Sequence, residues 1–164
     1  MFERFGEFDS AEGLNMTAAG LLTEGDKDSL LILAQENGID TEDANDYIAG
    51  DTQELCTSVM AAIGKLEIES KEHNSKQGIE KMALSLITTM AKGMCTEPAV
   101  ATGIRRKGKR IHEILELMRN VASTHKQGNI GMSCGTDRQL QGIIRAYYTE
   151  GKEAAKQQIE SLYA

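Results

Sequence analysis

Five cations fall within six positions in the stretch "GIRRKGKRIHEILELM" at residues 103–118: Arg105, Arg106, Lys107, Lys109 and Arg110. Side chains of this kind at this density neutralise phosphate, and phosphate contacts dominate nucleic-acid affinity. A second charged stretch, "LAQENGIDTEDANDYI" at residues 33–48, carries Asp40, Glu42, Asp43 and Asp46, with Asp51 close behind. Carboxylates in that pattern repel phosphate. They either face solvent or meet a basic partner by presenting DNA-like charge.

Other reactive residue types are sparse. His73, His112 and His125 are far apart and adjoin no nucleophile motif. Zinc-peptidase, nucleophile-elbow and Walker patterns are absent. "GNIGMSCG" is rich in glycine but lacks the lysine and spacing of a phosphate loop. Cys56, Cys95 and Cys134 form neither a C-x-x-C pair nor an even-numbered disulfide framework. They recur every 39 residues, with Gly64, Gly103 and Gly142 at a fixed offset. The apolar positions between them do not repeat, which argues against a solenoid. A calcium loop starting at Asp40 fails, because Ala44 takes a ligand position and Asn45 the glycine position. The expectation is a chain without catalytic residues, cofactor or metal.

Charge is divided along the chain, whose formal net charge is -7. Residues 1–54 hold 14 acids and 2 bases, whereas residues 105–164 hold 6 acids and 11 bases. Two electrostatically distinct parts follow. The domain reading is an acidic three-helix unit at residues 1–50 and a helical bundle at residues 51–164. No secretory segment or apolar run of membrane-spanning length occurs, so the expectation is a cytoplasmic protein without a membrane partner.

The elements that must position these charges read at helical period nearly throughout, so the expected fold class is all-α. Asp9 or Ser10 caps a helix to about Thr23, Asp26 a second ending at Asn37-Gly38, and Thr41 a third ending at Ala49-Gly50. The second and third share the grammar of a helix-turn-helix. Asp51 with Glu54 resembles a capping box for a fourth helix, with Lys65, Glu69 and Glu72 on its exposed side. A fifth, over residues 76–94, places Ile79, Met82, Ala83, Leu86, Ile87, Met90 and Met94 on one face, which reads as core. Pro98 marks a break.

One long helix is then expected from Ile104 to about His125. Its cations crowd the positive end of the helix dipole, where they are unfavourable, and Lys107 falls in its apolar sector. Residues 128–135 read as a loop. Thr136 caps a helix through Tyr148, and residues 152–163 form the last. Phe2, Phe5 and Phe8 are spaced to share one helical face and dock on the core. The basic cluster is offset either by the acidic lobe or by an external phosphate.

The phrases "FERFGEFDSAEGLN", "LAQENGIDTEDANDYIAGD", "AAIGKLEIESKE", "RRKGKRIHEIL" and "IIRAYY" resemble small proteins of phages and conjugative elements of gut Firmicutes, a gene pool that includes anti-CRISPR inhibitors of Cas9. The resemblance spans most of the chain and departs most at "GNIGMSCGTDRQ". It implies a non-enzymatic inhibitor that binds Cas9 with its guide RNA. The acidic residues 40, 42, 43, 46 and 51 would face the effector, and the cations at 105–110 would touch DNA or guide RNA. The alternative is a nucleic-acid-binding accessory or regulatory protein of a mobile element.

Overall fold

A computed structural model describes residues 2–73, 75–128, 130–131 and 133–163. The fold is all-helical, with no strand among the described residues. The first three helices are α1 (Ala11–Glu24), α2 (Lys27–Glu36) and α3 (Thr41–Ala49). Ser10 and Asp26 accept N–H groups of the first turns of α1 and α2. Asp40, not Thr41, caps α3 by accepting from the Glu42 amide at 3.0 Å. α1 and α3 end on glycines with left-handed backbone, Gly25 and Gly50, as helix C-termini favour.

Residues 51–57 contain no capping box, and α4 begins only at Ser58 and runs to His73. A distant side chain overrides the local signal. Asn15 of α1 donates to the Cys56 carbonyl at 2.9 Å and accepts its amide at 3.0 Å. That clasp holds Leu55 and Cys56 in the N-terminal core. Thr57 supplies the cap instead, its hydroxyl accepting from the Met60 amide at 3.2 Å.

α5 (Gly78–Gly93) passes through a 3₁₀ turn, Met94–Thr96, into α6 (Pro98–Arg105). Pro98 therefore opens a helix, at a position where its missing N–H costs nothing. The expected long helix is two helices. α6 stops at Arg105, and α7 (Ile111–Thr124) starts after a turn at residues 106–110 built on Gly108 at φ 79. α8 (Asp137–Thr149) has a full capping box between Thr136 and Gln139. α9 (Lys152–Glu160) ends in a 3₁₀ turn, Ser161–Tyr163. Asn129 and Met132, within the stretch read as a loop, lie outside the described residues.

Two apolar cores meet along α4. Leu14, Leu30, Leu33, Ile39, Tyr47 and Ala61 belong to the first, while Ala62, Leu66, Leu84, Ile104, Ile114 and Tyr148 belong to the second. α4 approaches the α2–α3 turn closely at Gly64, where a Cβ would lie 2.4 Å from the Asn37 carbonyl oxygen. α6 meets α8 in the same way, since a Cβ on Gly103 would lie 2.2 Å from the Tyr148 carbonyl oxygen. The glycines at a 39-residue interval thus serve separate local contacts.

Two apolar expectations fail. The three phenylalanines share no helix, because residues 2–10 form an irregular strap. Phe5 and Phe8 are half-buried against the N-terminal core. On α5, Ile79, Met82 and Leu86 face outward, and Met82 is 73% exposed. Ile87 and Met94 of the expected stripe are buried, with Ala83 and Met90 packed against the same core, and Leu84 and Ala91 complete the core-facing side.

Candidate functional site

The turn at residues 106–110 leaves amides at its own corner and at the start of α7 without helical partners. Arg110 occupies the N-cap of α7 and offers no acceptor. Other parts of the chain supply what this stretch lacks. Glu69 of α4 accepts the Ile111 amide at 2.7 Å. Glu7 of the strap accepts the Gly108 amide at 3.2 Å, and Asp9 accepts the Lys107 amide at 2.8 Å. Acceptors at a helix start are electrostatically favourable, and the turn gathers three carboxylates around itself.

These carboxylates meet cations that the sequence pattern placed elsewhere. Arg110 grips Glu7 with both terminal nitrogens, at 2.6 and 3.0 Å, and comes within 3.7 Å of Glu69. Lys65 donates to Glu7 at 2.7 Å and to the Arg106 carbonyl at 2.6 Å. The expectation that Lys65 and Glu69 lie on an exposed side of α4 is overturned: they are 1% and 2% exposed. Helical periodicity left them beside the apolar stripe, and the strap and turn close over them. Glu72 remains exposed.

Burial and pairing pull the two carboxyls in opposite directions. Burial alone would raise Glu7, but the hydrogen bonds from Arg110 and Lys65 outweigh it and hold its pKa to about 2. For Glu69 burial wins, pushing its pKa up to about 7 despite the Ile111 amide and the nearby cations. Burial pushes Lys65 down, against the opposing pull of Glu7 and Glu69.

The five predicted phosphate contacts separate into distinct environments. Arg105 is 1% exposed and donates to Asn37 at the end of α2, so it cannot meet an outside phosphate in this state. Two of its nitrogens, Nε and Nη1, are buried with no acceptor among the described residues. Arg110 is bound to Glu7. Lys109 donates to the Tyr147 carbonyl at 2.5 Å and lies 4.6 Å from that ring's centre. Arg106 and Lys107 are exposed, and neither side chain joins an ion pair among the described residues. Lys107 stands on the turn and does not pack its stem in an apolar sector. The acidic groups that do face the cluster are Glu7, Asp9 and Glu69, not those of α3.

The second predicted surface lies on and around α3. Asp40, Glu42, Asp46 and Asp51 are exposed and Asp43 is half-buried. None of the five joins an ion pair among the described residues. Asp40 and Asp43 line an open groove of about 420 Å³ between α3 and α4, together with Ile39, Met60, Ile63, Glu67 and Lys71 among others. Asp43 and Met60 also line a neighbouring groove of about 370 Å³ beside residues 52–57. Acidic and apolar side chains lining one groove suit a segment carrying both basic and apolar side chains.

Burial pushes the Cys56 and Cys95 thiols up to about 11, away from thiolate chemistry. His73 and His112 do meet, edge to face with ring centres 6.0 Å apart, despite their distance in sequence. His125 stacks on Tyr163 at 4.2 Å. No group of three or more His, Cys, Asp or Glu side chains among the described residues is placed to hold a metal ion. None of the helices, among the described residues, is long and apolar enough to cross a membrane. No protein-family model, curated protein or solved structure matches the chain.

Proposed function

We propose that this protein is a non-catalytic inhibitor that docks its acidic α3 surface on a basic partner, the Cas9–guide RNA complex. The observation that carries the reading is the set of carboxylates at 40, 42, 43, 46 and 51, four of them exposed and none in an ion pair among the described residues, beside a groove that Ile39, Met60 and Ile63 help to line. Charge of this kind competes for the positive channels and arginine readers with which such effectors hold nucleic acid. The choice of Cas9 among basic partners rests on the sequence resemblance. The working compartment in this reading is the bacterial cytoplasm.

The deciding experiment combines purified protein with Cas9 and guide RNA, then follows complex formation and cleavage of a matched target. Binding together with reduced cleavage is the expected result. Absence of both at excess protein sinks the proposal. A second reading, a nucleic-acid-binding accessory protein of a mobile element, is favoured by Arg106 and Lys107, which stand exposed outside the internal ion pairs. It requires DNA or RNA binding without any effector, weakened when those two residues become alanine.

A further inference from the structure

We infer that Lys65, Arg105, Arg110 and the amides of Lys107 and Gly108 form a phosphate-binding site for a nucleic-acid strand, closed in this state by the strap at residues 2–10, with Glu7 and Asp9 occupying the places of phosphate oxygens. The Glu7 carboxylate collects four donors: both terminal nitrogens of Arg110, the Lys65 ammonium and the Gly108 amide. Asp9 takes the adjacent Lys107 amide. A guanidinium fork, an ammonium and successive amides at a left-handed glycine are the donors that proteins use for oxyanions.

Charge and unused donors point the same way. Without Glu7, the carboxyls left acting on Lys65, Arg105 and Arg110 among the described residues would be Glu69 and, near Arg110, Glu72. Arg105 keeps Nε and Nη1 buried with no acceptor among the described residues, so the described part of the strap leaves donor capacity unfilled. The Phe2 ring covers both guanidinium groups, its centre 5.7 Å from the Arg105 carbon and 6.0 Å from that of Arg110. Withdrawal of the strap uncovers the site without breaking a helix. Beyond Glu7 and Asp9, its polar ties are the Arg4–Ser29 contact at 2.8 Å and the amides of Arg4 and Phe5 on Glu36. Arg106 and Lys107 then flank the opening, suited to neighbouring phosphates of one strand.

This inference concerns the free protein and does not rest on the effector reading. Its test is the affinity of a labelled single-stranded oligonucleotide for the wild type and the Glu7→Gln/Asp9→Asn variant, by fluorescence anisotropy across a salt series. The variant is expected to bind at least about tenfold more tightly than the wild type, with a steeper salt dependence. Adding Arg110→Gln should abolish the gain. A variant that keeps its helical circular dichroism and binds no more tightly overturns the proposal, as does a gain that survives Arg110→Gln. If the variant does not fold, the wild type decides by NMR at low salt: saturating oligonucleotide should shift the Lys107 and Gly108 amides, and unshifted amides overturn the site.

Discussion

Glu7 and Arg110 stand 103 residues apart and form a two-pronged ion pair, with contacts of 2.6 and 3.0 Å, over the break between α6 and α7. The pair joins the start of the chain to the turn that divides the expected long helix. It also gives the cations at residues 105–110 their main internal counter-charge. Lys65 and Glu69, both buried beneath it, make the join a network of four ionisable residues in which Glu7 and Arg110 are half-buried. Removing one member of such a network costs more than its pairwise attraction, because the remaining charge is left desolvated.

The network sets a pH dependence with two opposed limbs. The Glu7 carboxyl is held at about 2, below its ordinary 4.5, so its stabilisation is present above pH 4.5 and is lost as pH falls through about 2. The Glu69 carboxyl is raised from 4.5 to about 7, so its contribution is fully present below pH 4.5 and is lost as pH rises through about 7. Glu69→Gln keeps an acceptor for the Ile111 amide but cannot titrate. Urea denaturation of both proteins from pH 4.5 to 7.5 should show the wild type losing on the order of 1–3 kcal/mol relative to the variant. Parallel curves would show that Glu69 does not change protonation in that range.

Two alanine substitutions separate close packing from helix propensity. Gly64→Ala drives a methyl to 2.4 Å from the Asn37 carbonyl oxygen, and backbone on that side cannot swing away as a side chain can. The expected cost is about 3 kcal/mol or more, read from urea midpoints. Gly20 sits in the exposed part of α1, with nothing within 4 Å of its added Cβ. Gly20→Ala should therefore stabilise by about 0.5–1 kcal/mol.

Most helix starts and stops were legible in sequence because they rest on local chemistry. Ser10, Asp26 and Thr136 bond to amides within the next turn, and Gly50 ends its helix with its own backbone angles. The failures involve long-range partners. Asn15 holds Cys56 and so delays α4, and Glu7, Asp9 and Glu69 take the amides that a continuous helix through residues 106–111 would have bonded internally. The candidate site was half visible for the same reason. Its cations stand together in sequence, but Glu7, Lys65 and Glu69 come from two other segments. Only the unfavourable meeting of cations with a helix start signalled that partners had to exist. The acidic residues on and around α3 were legible as a local cluster, four of them exposed and Asp43 half-buried.

The outward face of α5 offers a control on the core assignment. Ile79→Lys and Met82→Lys replace exposed apolar side chains, so together they should change stability by no more than about 0.5 kcal/mol each. Leu84→Ala on the opposite face opens a cavity in the second core and should cost about 2–5 kcal/mol. Thermal denaturation followed by circular dichroism distinguishes these outcomes directly. A large loss from the lysine pair would mean that the α5 stripe is covered in solution.

Charge reversal on α3 tests whether the acidic surface acts locally or only through net charge. Asp46→Lys with Asp51→Lys alters two exposed residues that join no ion pair among the described residues, so stability should stay within about 0.5 kcal/mol per site. Glu116→Lys with Glu153→Lys makes the same change in net charge on exposed positions of α7 and α9. Under the proposed function, the first pair weakens binding to the Cas9–guide complex by at least about tenfold, because like charges then oppose each other at the contact. The second pair should leave affinity within about threefold, since exposed charges more than a Debye length away are screened at physiological salt. Equal losses from both pairs would assign the effect to overall charge and remove α3 as the docking surface.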